Sequence, residues 1–115
     1  PRAMVRAIVE GAFEWAEKYP EQMSVMMYFY YSCTHNEAYK KLHTLIRNSG
    51  NERLQVLLKD LKPNLNPDLA RDLASQIQSL IAGRLFEYFT TQPHRKLSVY
   101  ADATAVQVEH MIKSA

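Results

Sequence analysis

The sequence predicts an all-α protein built as a bundle of five to six helices. The chain of 115 residues contains only three glycines, and strong helix formers fill long segments of it. Apolar residues recur at steps of three and four, the spacing of one helix face. A chain of this length has room for one core, so we expect a single domain over residues 1–115.

Composition and charge exclude several classes of protein. The residues are 47% hydrophobic and 23% charged, which is ordinary for a folded domain and argues against disorder. No uncharged apolar run of 18 residues and no signal-peptide pattern occur, so a membrane span and secretion are not expected. The net charge is only +2 and the basic residues are scattered, so no nucleic-acid-binding face is expected. A lone Cys33 permits the cytoplasm, the location we expect.

The first two helices meet at Tyr19-Pro20. Apolar residues mark one face of the first helix: Val5, Ile8, Ala12, Trp15 and Tyr19, with Val9 and Ala16 widening the stripe. Proline cannot continue that helix but suits the first position of a new one, so a second helix is predicted over residues 20–33. This second helix is rich in methionine and aromatic residues and is apolar nearly all round. We therefore expect it to be central, with neighbours on several sides.

The third helix is predicted to begin at a capping box formed by Thr34 and Glu37. Its inward residues are expected to be Ala38, Tyr39, Leu42, Leu45 and Ile46. Near Gly50 the pattern fits two interpretations, a helix that stops and restarts or one long helix with a kink. The apolar residues on the two sides of Gly50 keep a common face, so both interpretations stay open.

The last two helices follow the clearest loop, residues 62–68. Asn66 supplies an N-cap, Pro67 the first helical position and Asp68 an acid in the first turn, so a helix is predicted from there to about Thr90. Its first half is expected to bury Leu69, Ala70, Leu73, Ala74 and Ile77. The final helix, predicted to open at Pro93, carries two apolar stripes. One contains Leu97, Ala101, Ala105, Val108 and Ile112, and the other contains Val99, Ala103 and Val106.

A second copy of the chain would most simply cover the apolar faces of the last two helices. One copy of the chain has difficulty covering both stripes of the last helix together with the mostly apolar second half of the helix before it. We therefore expect a homodimer in which the last two helices form a four-helix interface. The expected contact residues are Leu80, Ile81, Arg84, Leu85, Tyr88, Ala101, Ala105, Val108 and Ile112. The alternative is that these faces complete the core of a monomer.

The second helix is also the best candidate for ligand binding. Methionine is flexible and polarizable, and tyrosine hydroxyls can orient a bound molecule. The candidate lining residues are Met23, Met26, Met27, Tyr30, Tyr39, His43 and Phe86. An ordinary packed core explains the same residues, and the sequence leaves both interpretations open.

Catalytic and metal chemistry find little support in the sequence. His35 and His43 lie about two helical turns apart, too far to hold one ion together, and no E-x-x-H pattern occurs. The glutamates of the first helix fit a solvated flank better than an acid and base pair. Cys33 fits packing better than redox sensing. We expect no enzyme activity, no metal site and no cofactor.

Two segments carry a resemblance to a known family. Residues 12–21 read AFEWAEKYPE and lead into the methionine-rich helix, and residues 61–70 read LKPNLNPDLA and lead into two long closing helices. This order resembles the C-terminal domains of tetracycline-repressor-like (TetR) transcriptional regulators. The resemblance covers essentially the whole chain.

The resemblance implies a division of labour between two domains. In such regulators an N-terminal helix-turn-helix domain binds DNA, and the C-terminal domain dimerises through its last two helices and encloses a small effector. For this chain it implies dimer contacts over residues 80–89 and 97–112 and an apolar or aromatic effector at the methionine-rich helix. No helix-turn-helix segment precedes Arg2, and the chain begins at Pro1, so we expect a processed or excised piece that reaches DNA only through the absent domain.

Two rival functions remain beside the regulator. A helical dimeric adaptor or scaffold without a small-molecule ligand predicts a solid core and an exposed apolar groove. A helical-bundle enzyme or metalloprotein requires ionisable groups that converge inside the bundle, and the sequence offers few of them.

Overall fold

A computed structural model describes residues 2–115, with the backbone alone for Arg2, and the described residues form five helices and no strand. The helices are α1 (Arg2–Lys18), α2 (Pro20–Ser32), α3 (Glu37–Leu61), α4 (Pro67–Thr90) and α5 (Leu97–Ser114). The all-α prediction is confirmed.

The helices are arranged as two pairs joined by a third contact. α1 packs mainly against α5, α3 packs mainly against α4, and α4 packs against α5. α2 bridges the two pairs by touching α1 and α3. The molecule is flat, with extents of 39 × 36 × 18 Å, and its radius of gyration of 14.8 Å exceeds the about 13 Å expected for this length. A flat arrangement leaves helix faces without neighbours.

The corner between α1 and α2 is made by a single residue. Tyr19 donates its backbone N–H to the Trp15 carbonyl at 2.9 Å, and its own carbonyl accepts from the Met23 N–H at 3.1 Å. Pro20 opens α2 without a backbone N–H to satisfy. The boundary predicted at Tyr19-Pro20 is confirmed.

α1 buries a face rotated slightly from the predicted one. Val5, Val9, Phe13 and Ala16 are buried, while Ile8 and Tyr19 are exposed. Because α5 is the main neighbour of α1, the direction of α5 decides which residues are covered. Val9 and Ala16, which were predicted to widen the stripe, lie at the centre of the buried face.

The central position predicted for α2 is wrong. Met23 is fully buried, but Val25, Tyr28 and Tyr31 are exposed, and Tyr28 retains 72% of its accessible surface. α2 has neighbours on one side only, because it spans the end of the bundle between α1 and α3. Its apolar outer side therefore faces solvent in this chain.

α3 departs from the prediction at its start and in its first half. Its N-cap is Asn36, whose Oδ1 accepts from the Tyr39 N–H at 3.0 Å, while the Thr34 hydroxyl donates to the Tyr31 carbonyl, so the predicted capping box is wrong. The five residues expected to point inward are all exposed: Ala38, Tyr39, Leu42, Leu45 and Ile46. The first half of α3 instead turns His43 and Arg47 toward its neighbours. α3 runs unbroken through Gly50, so the stop-and-restart interpretation is wrong.

Polar side chains join α3 to α4, and we call them the α3–α4 polar network. Asn51 is buried; its Nδ2 donates to the Arg71 carbonyl at 3.3 Å and to Gln78 Oε1 at 3.2 Å. Gln55 donates to Asn51 Oδ1 at 2.6 Å, and Gln78 Nε2 donates to the Arg47 carbonyl at 3.0 Å. These bonds tie both helices to one axial register.

The ends of α4 follow the prediction, and α5 begins later than expected. Asn66 caps α4 by accepting from the Asp68 N–H at 2.8 Å, Pro67 is the first helical residue, and α4 ends at Thr90. Its inner face is buried as predicted, apart from Leu69, which is exposed. Residues 93–96 lie before α5, which starts at Leu97.

An ion-pair group centred on Arg6 ties α1 to α5. The guanidinium contacts Asp102 at 2.6 Å, Glu10 at 3.2 Å and Glu109 at 3.2 Å. The hydrogen bonds that Arg6 donates to Asp102 and then to Glu10 raise the pKa of Arg6 above its ordinary value. Surface ion pairs add little stability, so the main effect is to orient the two helices.

Replacing Gly11 with alanine should stabilise the protein. Gly11 lies inside α1, and outside the adjoining helix backbone an added Cβ would meet no atom of the described residues within 4 Å, so the variant gains helix propensity of about 0.5–1 kcal/mol. At Gly50 the added Cβ would lie 3.1 Å from Gln78 Nε2, so Gly50→Ala should gain less. Thermal unfolding of both variants measures the difference, and equal gains would mean that Gln78 moves aside freely.

Candidate functional site

The residues predicted to bind a ligand form a packed aromatic cluster. The Tyr30 ring lies 4.3 Å from the His43 ring and 5.0 Å from the Phe86 ring, centroid to centroid. Phe29, which is not among the predicted lining residues, links His43 to Tyr39, with ring centroids 6.0 Å and 5.6 Å away. The cluster therefore joins α2, α3 and α4.

The methionines lie beside this cluster on α2. Met23 is fully buried, and Met26 and Met27 are half-buried. Five of the clefts on the described surface have lining residues that include none of the predicted ligand-binding residues. The close ring contacts and these lining residues favour the ordinary packing that the sequence left open as the alternative.

The polar atoms of the cluster are not arranged for proton transfer. Burial raises the pKa of Tyr30 above its ordinary value, and the nearby Arg47 charge opposes that rise. His43 Nε2 is buried and has no hydrogen-bond partner among the residues that the structure describes. The Tyr30 and His43 rings stack at an interplanar angle of 33°, so the two residues meet through ring surfaces rather than through a hydrogen bond.

Other chemistry that the sequence raised has no geometric support. Within residues 2–115 no three His, Cys, Asp or Glu side chains come close enough to hold a metal ion. The Cys33 thiol is buried, so it is not presented to solvent. No helix in the same range combines the length and apolar character that crossing a bilayer requires.

The expected dimer residues divide into two groups. The chain itself already buries Leu85, Ala101, Ala105, Val108 and Ile112 in its core. These five have little surface left to add to a dimer, because the first α5 stripe faces α1 and α4 of the same chain. The dimer contact itself stays a prediction. The remaining four are half-buried: Leu80, Ile81, Arg84 and Tyr88.

The second stripe of α5 lies uncovered. Val99, Ala103 and Val106 are exposed, and the two valines each retain 40% of their accessible surface. Beside this stripe a shallow trough of about 480 Å³ runs between α4 and α5, with Leu80 and Met111 among its lining residues. We call the stripe and the trough together the α4–α5 outer face.

A cleft that the sequence analysis did not predict lies where α1, the end of α3 and the end of α5 meet. Its volume is about 490 Å³. Its lining residues are Val5, Arg6, Leu61, Lys62, Val106, Glu109, His110, Ile112 and Lys113. We call it the end cleft. Its walls come from three distant segments, so no local sequence signal could have revealed it.

Comparison with known proteins yields no relative for this chain. No family model matches the sequence, no curated protein matches it, and no solved structure matches the fold.

Proposed function

We propose that this chain is the dimerisation and effector-sensing domain of a TetR-like transcriptional regulator that works in the cytoplasm. The observation that carries the proposal is the second apolar stripe of α5, which the folded chain leaves exposed. The corner at Tyr19-Pro20 and the capped start of α4 at Asn66 add support, because both lie in the segments that resemble this family.

The proposed dimer forms through the α4–α5 outer face. Gly83 and Ala103 are small and exposed, so a partner helix can approach the backbone closely at both positions. The trough beside Leu80 offers a groove for a ridge of side chains, which is how helices usually pack. Arg84 spans the two helices by donating to Gln107 Oε1 at 2.8 Å, so the partner meets a surface that is already ordered.

Regulation in the intact protein would be a shift between two states. An effector that binds one arrangement of the helices better than another changes their populations by its difference in affinity. α1 is the helix nearest the proposed DNA-binding domain, and the Arg6 ion pairs tie it to α5. A movement of α1 would therefore reach the dimer helices and change the spacing of the two DNA-reading heads.

The dimer is tested by light scattering at micromolar concentration. We expect the wild-type chain to be dimeric and Ala103→Arg to be monomeric, because the long charged side chain would have to be buried in the contact. Ala7→Arg is the matched control, since Ala7 is an exposed alanine on α1 outside this face. A monomeric wild-type chain, or equal loss of dimer in both variants, would contradict the proposal.

A helical adaptor is the second candidate, and one observation favours it. Apolar side chains are exposed on α2 and on the first half of α3: Val25, Tyr28, Tyr31, Leu42, Leu45 and Ile46. Exposed apolar groups in this number are typical of a docking surface. Loss of self-association in Leu45→Arg, with Ala103→Arg still dimeric, would favour the adaptor. A three-helix DNA-binding pattern encoded upstream of Pro1 would favour the regulator.

A further inference from the structure

α3 carries a line of exposed residues on the side of the helix opposite Arg47, which bonds to α4 at Ser75. Its members follow alternating steps of four and three residues, the spacing by which two helices pack along each other. Each of the six is exposed. We call them the α3 seam: Ala38, Leu42, Leu45, Ser49, Glu52 and Val56.

The α3 seam is largely apolar, and the described part of the chain leaves it uncovered. Leu42, Leu45 and Val56 retain 48%, 68% and 65% of their accessible surface. Glu52 is the one seam residue that carries a charge. Because apolar surface is unfavourable in water, the seam favours contact with another helix laid along α3.

The α3 seam is symmetric about residue 47, and this symmetry indicates which helix covers it. When two identical antiparallel helices are related by a two-fold axis, residues at equal distances on opposite sides of the axis meet. With the axis at residue 47, Leu45 meets Ser49 of the second copy, and Ala38 meets Val56 of the second copy. In both pairs a larger side chain faces a smaller one, so the two seams can interdigitate.

The charges along one edge of the α3 seam are complementary in the same arrangement. Lys41 and Glu52 lie about three helical turns apart, so both occupy one edge of the seam. Both are exposed, and neither has an ion-pair partner among the described residues. Lys41 lies six residues before the axis and Glu52 five residues after it. Each therefore approaches the opposite charge on the second copy, and the symmetry forms this pair twice.

We propose that the α3 seam binds the α3 seam of a second copy of this chain, antiparallel about a two-fold axis at residue 47. Leu42 and Leu45 supply the apolar centre, and the pairs of Lys41 with Glu52 flank it. A second copy fits because one seam supplies both halves of each match, the small residue for the large one and the acid for the base. The contact shares no residue with the α4–α5 outer face, so it goes beyond the proposed dimer and joins dimers into larger assemblies.

The seam contact is measured in Ala103→Arg, which lacks the proposed α4–α5 dimer. The seam contact involves one helix of each copy rather than two, so we expect it to be the weaker contact and to form at submillimolar concentration. Analytical ultracentrifugation should then show Ala103→Arg as a dimer, and adding Leu45→Arg should make it monomeric.

The two contacts can fail separately. An Ala103→Arg variant that stays monomeric at submillimolar concentration overturns this inference and leaves the proposed dimer standing. Self-association that depends on Leu45 alone, already at micromolar concentration, overturns the proposed dimer and leaves the seam contact standing. Leu45 is exposed, so its variant should keep the helical circular dichroism spectrum.

A charge swap tests the antiparallel pairing itself, again in the Ala103→Arg background. Lys41→Glu and Glu52→Lys each place like charges opposite each other at two points, so each should weaken association at least about fivefold. The variant that combines both changes restores opposite charges and should return the affinity to within about twofold of the parent. Arg95→Glu, at an exposed loop residue, changes the net charge as Lys41→Glu does and should leave association unchanged. Weak association in the combined variant, or an equal loss in Arg95→Glu, would overturn the inference.

Discussion

Replacing Phe13 with alanine lowers the free energy of unfolding by about 3–5 kcal/mol. Phe13 lies in the middle of α1 with 1% of its surface accessible and is among the largest fully buried side chains. It borders the same cleft as Leu97 and Ala101 at the start of α5. The substitution removes apolar contacts and leaves a cavity between the two helices.

The loss is large for a domain of this size. Whole domains are stable by about 5–15 kcal/mol, so the variant should be close to unfolding at moderate temperature. Urea denaturation followed by circular dichroism measures the change. Tyr28→Ala is the matched control, because Tyr28 is an exposed aromatic residue on α2 and its removal should change stability by less than about 0.5 kcal/mol. Similar midpoints for the two variants would contradict the buried position of Phe13.

Replacing Asn51 with alanine lowers the free energy of unfolding by about 2 kcal/mol. The change removes the two bonds that Asn51 donates and the bond that it accepts from Gln55. Gln55 Nε2 and Gln78 Oε1 are then left half-buried without these partners. That penalty exceeds the gain in helix propensity that alanine brings.

Asn48 provides the control for this prediction. It lies one turn earlier in α3 and is exposed, so Asn48→Ala should be neutral or slightly stabilising. A double-mutant cycle with Gln78→Ala should give a coupling energy of at least about 0.5 kcal/mol, because the two side chains contact each other. Additive effects would mean that the α3–α4 polar network does not act as a unit.

Helix ends were predictable from the sequence because they depend on local chemistry. Pro20 ends one helix and opens the next, and the group at Asn66 caps α4, as expected from the properties of proline and asparagine alone. The capping-box prediction at Thr34 was wrong for a reason that is also local. Two N-caps competed within three residues, and Asn36 is the one whose side chain reaches a free amide of α3.

Which helices pack against each other was not predictable in the same way. The apolar residues of α2 and of the first half of α3 suggested burial, but burial requires a second element to lie over them. The path of the chain places α2 at the edge of the bundle, and periodicity carries no information about that position. The burial of Asn51 went undetected for the same reason, because its partners lie on another helix.

The candidate sites show the same difference between what local sequence predicts and what depends on contacts between helices. Tyr30, His43 and Phe86 were selected together and do meet, because large aromatic residues concentrate where helices approach. The sequence does not indicate whether these three side chains surround a cavity or fill the space between the helices. The end cleft was not predictable, because its walls come from three segments that are distant in sequence.

The α3–α4 polar network also determines how the molecule can deform. Sliding α3 along α4 would break its hydrogen bonds together, whereas tilting the α1–α5 pair against the α3–α4 pair would leave them intact. We expect slow motions to occur at the contact between the two pairs, with α2 acting as a tether that bends at Tyr19. One of these units joins the first and last helices of the chain and the other joins two consecutive helices, and a distance measured between α1 and α3 would report their relative motion.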